Sequence, residues 1–177
     1  MATNGILLTA AHKAIKVAER RRWQDHLRNG GGYRGAYKLS SDKHADWDVL
    51  VNTANAIFEI DGGTWKSCVI QVALSSWRRT LGSRQDLLVS GVLKTQDSLG
   101  RWVKIGEWDR TLRFYPRRTY VFHGGLFLKK SRYGQGLGTS FVRTCIDSYR
   151  NAGIANVLLE AGDELGGYVW AREGFGW

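Results

Sequence analysis

A glycine-rich segment near the C-terminal third of the chain has the residue types and spacing that bind phosphate groups. Gly134, Gly136 and Gly138 alternate with other residues, and the apolar stretch Leu126–Leu128 precedes them. A strand that leads through such a turn into a helix exposes the first amides of that helix, which have no intrahelical acceptor. Glycine lets the backbone approach a diphosphate because it has no Cβ. The segment therefore predicts a diphosphate site.

Other glycine-rich connections compete with this interpretation. The alternation over 134–138 also occurs in plain strand-to-helix turns, and it differs from the G-x-G-x-x-G spacing of dinucleotide-binding folds. Dinucleotide-binding folds also have an acidic residue about 20 positions after the glycine motif. The candidate here, Glu160, falls inside the next predicted strand and is therefore not cleanly placed. A P-loop is excluded, since no Gly-Lys-Ser/Thr follows. Lys129, Lys130 and Arg132 add positive charge beside the turn.

The spacing of apolar residues predicts the helices and strands that position this turn, and this spacing changes along the chain. Apolar residues at helical spacing indicate a basic amphipathic helix over 8–28 and a second helix over 45–59. Residues 77–86, which include clustered arginines, are left open between strand and loop. Alternating apolar residues indicate strands over 65–74, 87–95, 101–108 and 120–128. The Gly124–Gly125 pair inside the last of these strands indicates a bulge or a close backbone approach.

The C-terminal part is predicted to form a β-α-β unit. The strand that ends at Leu128 is followed by the glycine turn, by a helix that ends near 151–153, and by a short buried strand over 157–159. A last helix is predicted over 165–173. Two strands joined by a crossover helix run parallel. We therefore predict a mixed α/β (α+β) fold, in which a mostly antiparallel sheet is flanked by helices and ends in this unit.

The order and spacing of these elements from Phe122 to Trp177 resemble the GNAT superfamily of acyl-CoA-dependent acyltransferases. In that family an apolar strand leads into an Arg/Gln-x-x-Gly-x-Gly/Ala loop, followed by a helix, an apolar strand and a helix that ends in an aromatic residue, a few others and Gly-Phe. The corresponding segments here are Tyr133–Gly138, Asn156–Ala161 and Tyr168–Phe175. The resemblance implies a GNAT-like fold.

The resemblance also implies acetyl-CoA or another acyl-CoA as the cofactor. The loop amides would hold its diphosphate. The backbone before the loop would hydrogen-bond the pantetheine where that strand splays from Asn156–Ala161. The implied cofactor-binding residues are Leu126, Phe127, Leu128, Arg132, Tyr133, Gly134, Gln135, Gly136, Leu137 and Gly138.

The chain departs from the family pattern at three places. Tyr133 occupies the usual Arg/Gln position, although Arg132 is adjacent. Trp170 stands where the family often has a general-acid tyrosine. The sequence ends at Trp177, where the family adds strands that help to wall the acceptor site. We therefore expect an intact coenzyme-binding half and an altered chemical half.

Acyl transfer to an amine needs a base or an amine-orienting group, and a proton donor for the leaving thiolate. Glu160, on the strand after the coenzyme helix, is the favoured base; it could equally be an exposed strand carboxylate. His123 titrates near neutral pH, but a structural, hydrogen-bonded histidine is the alternative. Tyr168 could supply the missing phenol if the last helix is rotated relative to the family. Asp163 and Glu164 either cap that helix or attract a cationic acceptor.

Charge adds a second hypothesis about partners. The formal net charge of the chain is +10, which draws in anionic ligands, nucleic acid and acidic protein surfaces. Basic residues outnumber acidic ones from Lys13 to Lys38. This stretch is either a solvated helix face or an arm that docks on nucleic acid or on another protein. We predict a basic helical arm over 1–40 and a GNAT-like domain over 41–177.

Cysteine usage and hydropathy indicate a location. Cys68 and Cys145 lie in apolar runs without metal-like spacing, which predicts two reduced, buried thiols in a reducing compartment. The N-terminus lacks the pattern of a signal peptide. No apolar run approaches the roughly 18 residues that span a bilayer. We expect a soluble cytoplasmic protein without a membrane partner, or a virion component if a phage encodes it.

Two functions follow from these features. The first is an N-acyltransferase that moves an acetyl or other acyl group from acyl-CoA to an amine acceptor. The second is a non-catalytic module with a GNAT fold, for example a component of a phage particle, which would bind nucleic acid or a larger assembly through the basic arm. The intact glycine turn favours the first, whereas Trp170 and the position of the C-terminus favour the second.

Overall fold

One six-stranded sheet and three α-helices form the part of the chain that the structure describes. The structure is a computed structural model, and it describes residues 3–28, 37–39, 45–79, 82–115, 118–154 and 156–159. The helices are α1 (Thr3–Arg28), α2 (Trp47–Phe58) and α3 (Leu137–Asn151). The strands are β1 (Tyr37–Leu39), β2 (Trp65–Arg79), β3 (Gly82–Gln96), β4 (Trp102–Phe114), β5 (Thr119–Leu128) and β6 (Asn156–Leu159).

The sheet follows the order of the chain from β1 to β6. Neighbouring strands pair antiparallel from β1 to β5, and only the last pair, β5 with β6, is parallel among the described strands. The crossover between the parallel strands contains α3, as a β-α-β unit requires. The predicted mixed α/β class, with a mostly antiparallel sheet and a β-α-β unit, is confirmed.

The hairpin between β2 and β3 resolves the stretch over 77–86. Trp77 pairs with Arg84 and Arg79 pairs with Gly82, so most of the stretch is strand. Clustered arginines do not by themselves indicate a loop. The hydrogen bonds between strands use backbone groups, and long cationic side chains can extend from a strand into solvent. The short β1 was not predicted, since three residues carry no readable period.

All three helices contribute to one hydrophobic core. On α1 the buried side chains include Leu8, Ala11 and Ile15, at the spacing of one helix face. They join buried residues of α2, α3 and the sheet in a single cluster. The α1 helix begins at Thr3, earlier than predicted, and it shares this core. The proposed boundary at residue 40 stays a prediction.

Contacts at both ends fix α3, the helix that follows the glycine turn. Near its start, Trp65 Nε1 donates to Ser140 Oγ at 3.1 Å, and the Trp65 ring packs edge-on against Phe141. At its end, Ile154 N donates to Tyr149 O at 2.9 Å beyond Gly153, whose φ is 78°. This is the pattern of a Schellman cap. The orientation of α3, and with it the direction of its first amides, is therefore held from the core.

A bilayer crossing needs a helix that is both long and strongly apolar, and the helices considered are those of the described ranges. None of them meets both requirements.

Candidate functional site

A bulge divides β5 into two halves. Asp109 of β4 pairs with Gly125, whereas the next residue, Arg110, pairs with His123. Gly124 is therefore the extra residue on β5, which confirms the predicted irregularity. A bulge changes the direction of the strand, so the residues that follow it need not continue the pairing that precedes it.

The two halves of β5 differ in their neighbours. The first half pairs with β4 on one side and, from Tyr120 to His123, with the parallel strand β6 on the other. The second half, Leu126–Leu128, pairs with β4 alone within the described ranges. An unpaired strand edge presents backbone donors and acceptors to a ligand. The described backbone thus leaves an open edge where the resemblance places pantetheine.

The turn after β5 is built by backbone hydrogen bonds and two left-handed glycines. Lys129 N donates to Ile105 O at 2.8 Å, and a 3₁₀ turn then covers Lys130–Arg132. Gly134 has φ of 74° and Gly136 has φ of 72°. Other L-residues adopt this region at a cost of roughly 1–2 kcal/mol. A Cβ at either position would meet open space, so the side of the turn that these glycines present is clear.

The amides of this turn have no acceptor in the part of the chain that the structure describes. The first backbone hydrogen bond of α3 runs from Ser140 N to Gly136 O at 2.9 Å. From Gly134 through Thr139, no amide donates to an acceptor in the described part of the chain. No acidic side chain occupies the first turn of α3. The positive end of the helix dipole therefore lies beside a run of donors that no described residue pairs, which is a suitable environment for phosphate oxygens.

Gly138 differs from the other two glycines of the motif. It lies inside α3, and a Cβ there would stand 3.6 Å from Leu126 Cδ2 and 3.8 Å from Leu128 Cδ1, an ordinary contact distance. Its missing side chain therefore faces β5. Of the three glycines, only Gly134 and Gly136 have open space at the Cβ position, and their role at a diphosphate stays a prediction. The Gly138 amide still belongs to the run without acceptors.

The predicted cofactor residues differ in the exposure of their side chains. Leu126 and Leu128 are half-buried against the core, whereas the Phe127 side chain between them is 66% exposed. Tyr133 is 63% exposed and Arg132 is half-buried. Tyr133 thus lies at the mouth of the turn, in the position where the family usually has arginine or glutamine.

The predicted catalytic residues do not come together in the described part of the chain. His123 is only 2% exposed, and its Nε2 lies 3.0 Å from the Tyr149 hydroxyl. Burial, and secondly the positive charge of Arg110, hold the pKa of His123 well below its ordinary value of 6.5. The imidazole is therefore neutral at pH 7, and its placement favours the structural role. Glu160 and Tyr168 lie outside the described residues.

A buried polar cluster around His123 was not found from the sequence. Arg110, Cys145 and Tyr149 are each at most 2% exposed. Burial raises the pKa of Cys145 to about 11, and it raises the pKa of Tyr149 well above 10.0. One signal was available, because alternation along β4 puts Arg110 on the same inward face as Trp108 and Leu112. A charged residue at such a position needs a structural reason.

The comparisons with known proteins add solved acetyltransferase structures. An acetyltransferase from Trypanosoma brucei is 19% identical with a TM-score of 0.42, over 51% of this chain and 63% of its own. An aminoglycoside N-acetyltransferase, AAC(6')-Iy in complex with CoA, is 22% identical with a TM-score of 0.41, over 51% and 60%. A glucosamine-6-phosphate N-acetyltransferase from Arabidopsis thaliana is 14% identical with a TM-score of 0.41, over 51% and 61%.

This chain thus spans less than two thirds of the length of each of these three proteins. No protein-family model and no curated protein sequence matched this chain.

Proposed function

We propose that this protein is a GNAT-type N-acyltransferase that binds acetyl-CoA or another acyl-CoA. The observation that carries the proposal is the run of amides from Gly134 to Thr139, which have no acceptor among the described residues and follow the edge of Leu126–Leu128 that no described strand pairs. The turn would bind the diphosphate, and the strand edge would bind the amide groups of pantetheine. The resemblance to the GNAT superfamily supports this assignment, because it places the same two groups on the same two segments.

The fit to this ligand rests on the donors present. A diphosphate offers only acceptors, and the turn offers backbone donors beside two glycines, Gly134 and Gly136, whose Cβ positions meet open space. Lys129 and Lys130 are exposed beside it and add positive charge. Acyl-CoA supplies the activated acyl group. Holding thioester and amine together supplies much of the rate in reactions of this class.

In the proposed reaction the amine nitrogen attacks the thioester carbonyl carbon, the C–S bond breaks, and the thiol leaves with a proton. The amine must be neutral to attack, so a base has to take its proton. Glu160 stays the predicted base, and Tyr168 stays a predicted proton donor to the thiolate. The amine acceptor belongs to a protein, a peptide or a small molecule, and acetyl is the simplest acyl group that this chemistry transfers.

A thermal-shift measurement with a matched turnover assay tests the proposal. Acetyl-CoA at about 100 times its Kd should stabilise the folded protein by about 2.7 kcal/mol and raise the melting temperature by several degrees. The variant Glu160→Gln should keep this shift, since the amide is nearly isosteric, and should lose about 100-fold or more in amine acetylation, the lower end of the range for general-base catalysis.

The two readouts separate binding from chemistry. No shift in the wild-type protein at millimolar acetyl-CoA would contradict the coenzyme site. A full shift with unchanged turnover in Glu160→Gln would remove Glu160 from the reaction and leave the coenzyme site intact.

A second candidate function uses the basic face of α1. The exposed side chains of Lys13, Lys16, Arg20 and Arg21 line a groove of about 530 Å³ along this helix. The pKa of His12 beside them is lowered by burial and by the charge of Lys16. We propose this face as the binding surface of the arm over 1–40, with the phosphate backbone of nucleic acid as its partner.

Gel-shift titration against salt tests the second candidate. The double variant Lys16→Glu/Arg20→Glu should weaken nucleic-acid binding by at least about tenfold and reduce the slope of log K against log salt by about 2, because two phosphate contacts are lost. The thermal shift with acetyl-CoA should not change. A wild-type protein that binds nucleic acid no better than this variant would contradict the assignment of this surface to nucleic-acid binding.

The cytoplasm is the location that we propose. Cys68 and Cys145 are both free thiols, which fits a reducing compartment.

A further inference from the structure

Arg110 is a buried cation whose side chain contacts the β5 bulge. It is 2% exposed, and its Nη1 donates to two carbonyl oxygens, Asp109 O and Gly125 O, each at 2.7 Å. Its Nε and Nη2 are buried without a hydrogen-bond acceptor in the described part of the chain. The guanidinium carbon lies 5.4 Å from the Phe141 ring centroid and 5.9 Å from that of Trp108. The side chain is thus enclosed by α3 and the sheet.

A buried guanidinium is costly, so its few polar contacts indicate what it does. Removing a cation from water without full hydrogen bonding is unfavourable, and an apolar residue at this inward position of β4 would avoid that cost. Arg110 interacts with the side chains of Cys145 and Tyr149. Its two backbone hydrogen bonds go to the carbonyl oxygens of Asp109 and Gly125, two residues that pair with each other at the bulge. Arg110 thereby fixes the irregular backbone at the bulge between the two halves of β5.

We propose that Arg110 is a positioning residue for the pantetheine-binding edge, an inference that rests on the proposed function. In a trans peptide the C=O and N–H groups point to opposite sides. A carbonyl of Gly125 that is held by Arg110 therefore fixes the plane of the Gly125–Leu126 peptide, and with it the direction in which the Leu126 amide points. Leu126 begins the open edge, so Arg110 sets the direction of its first donor without touching the ligand.

The test compares two ligands in three variants. Coenzyme A carries the pantetheine arm, whereas adenosine 3′-phosphate 5′-diphosphate shares the nucleotide with its diphosphate and lacks the arm. In Arg110→Met the Kd of coenzyme A should rise about tenfold, and the Kd of the nucleotide should stay within about twofold, since only the arm contacts the edge. Arg110→Lys keeps one cationic donor and should restore part of the loss. Arg113→Met is the control.

Arg113 is a suitable control because it lies on the same strand and contacts a different group. Its guanidinium carbon stands 4.1 Å from the Phe122 ring centroid, before the bulge. Arg113→Met should therefore leave both dissociation constants unchanged. The carbonyl carbon resonance of Gly125 in the ligand-free protein gives a spectroscopic readout: it should move in Arg110→Lys and Arg110→Met, and it should not move in Arg113→Met.

Each outcome decides between the hypotheses. Equal losses for both ligands in Arg110→Met would show a general structural effect and would overturn the positioning role. Unchanged binding of coenzyme A in a folded Arg110→Met would overturn it as well. If Arg110→Met does not fold, Arg110→Lys must show the same selective loss at smaller size, and equal affinity there overturns the inference. A wild-type protein that binds neither ligand overturns the proposed function together with this inference.

Discussion

The two halves of β5 show how one strand can serve stability and binding at once. The first half, Tyr120–His123, has a neighbouring strand on each side, and its buried side chains face α3. The second half, Leu126–Leu128, has one neighbouring strand within the described ranges. It leads into a turn whose amides have no acceptor in those same ranges. One extra residue at the bulge, Gly124, separates these environments.

In the described part of the chain, the second half of β5 and the start of α3 have backbone donors that no described acceptor pairs. Shielded backbone groups are almost always paired, and the proposed function assigns the coenzyme as the partner of these donors. The first half places its polar side chain, His123, in the core against Tyr149. Substitutions in the second half should therefore affect binding, whereas substitutions in the first half should affect stability.

The largest expected effect comes from a carboxylate placed in the turn. Gly136→Asp puts a negative charge beside the proposed diphosphate, and charges about 4 Å apart near a protein surface repel by up to about 4 kcal/mol. We expect the affinity for acetyl-CoA to fall by at least about 100-fold, which corresponds to about 2.7 kcal/mol. Isothermal calorimetry measures this change.

Gly100→Asp is the matched control for this substitution. Gly100 has φ of 73°, close to the 72° of Gly136, and a Cβ at either position would meet open space. The two substitutions therefore impose similar backbone strain, but Gly100 lies in the turn between β3 and β4. Equal affinities for acetyl-CoA in the two variants would contradict the assignment of the diphosphate to the turn.

A smaller effect is expected from the first half of β5, where His123 should make the free energy of unfolding depend on pH. Because the pKa of His123 is lowered on folding, the unfolded chain takes up a proton below about pH 6.5 and the folded protein does not. The free energy of unfolding should be unaffected by His123 above this pH and should fall by up to about 1.4 kcal/mol per pH unit below it. This fall in the free energy of unfolding ends at the pKa that His123 has in the folded protein.

Denaturant titrations between pH 7 and pH 5 measure this slope. The variant His123→Asn should flatten it, whatever its stability at pH 7. His12 provides a comparison, since its pKa is also lowered but it is only partly enclosed, and His12→Gln should remove a smaller part of the slope. A wild-type slope that His123→Asn leaves unchanged would show that the imidazole is protonated in the folded protein.

Much of the fold around this strand was readable from local patterns. The periodicity of apolar residues located α2, α3 and the hairpin of β3 and β4, and the Gly124–Gly125 pair located the bulge. These features depend on residues that are near one another in sequence. Glycine at positive φ has the same local origin, which is why the turn at Gly134 and Gly136 could be predicted.

The remaining features depend on contacts between residues that are distant in sequence. Nothing local shows that Gly138 faces the leucines of β5, or that Arg110 reaches Gly125 O across the sheet. The role of His123 was left open between catalysis and structure, because its partner Tyr149 is 26 residues away. The predictions for Glu160 and Tyr168 remain predictions, since these residues lie outside the described ranges.

Amide hydrogen exchange measured by NMR, with and without acetyl-CoA, tests the central claim most directly. If the turn and the open edge bind the coenzyme, acetyl-CoA should slow exchange at the amides of 134–139 and within Leu126–Leu128. The amides of Tyr120–His123 and of α1 should exchange as before. Protection confined to α1, or no protection at 134–139 under saturating acetyl-CoA, would contradict the account.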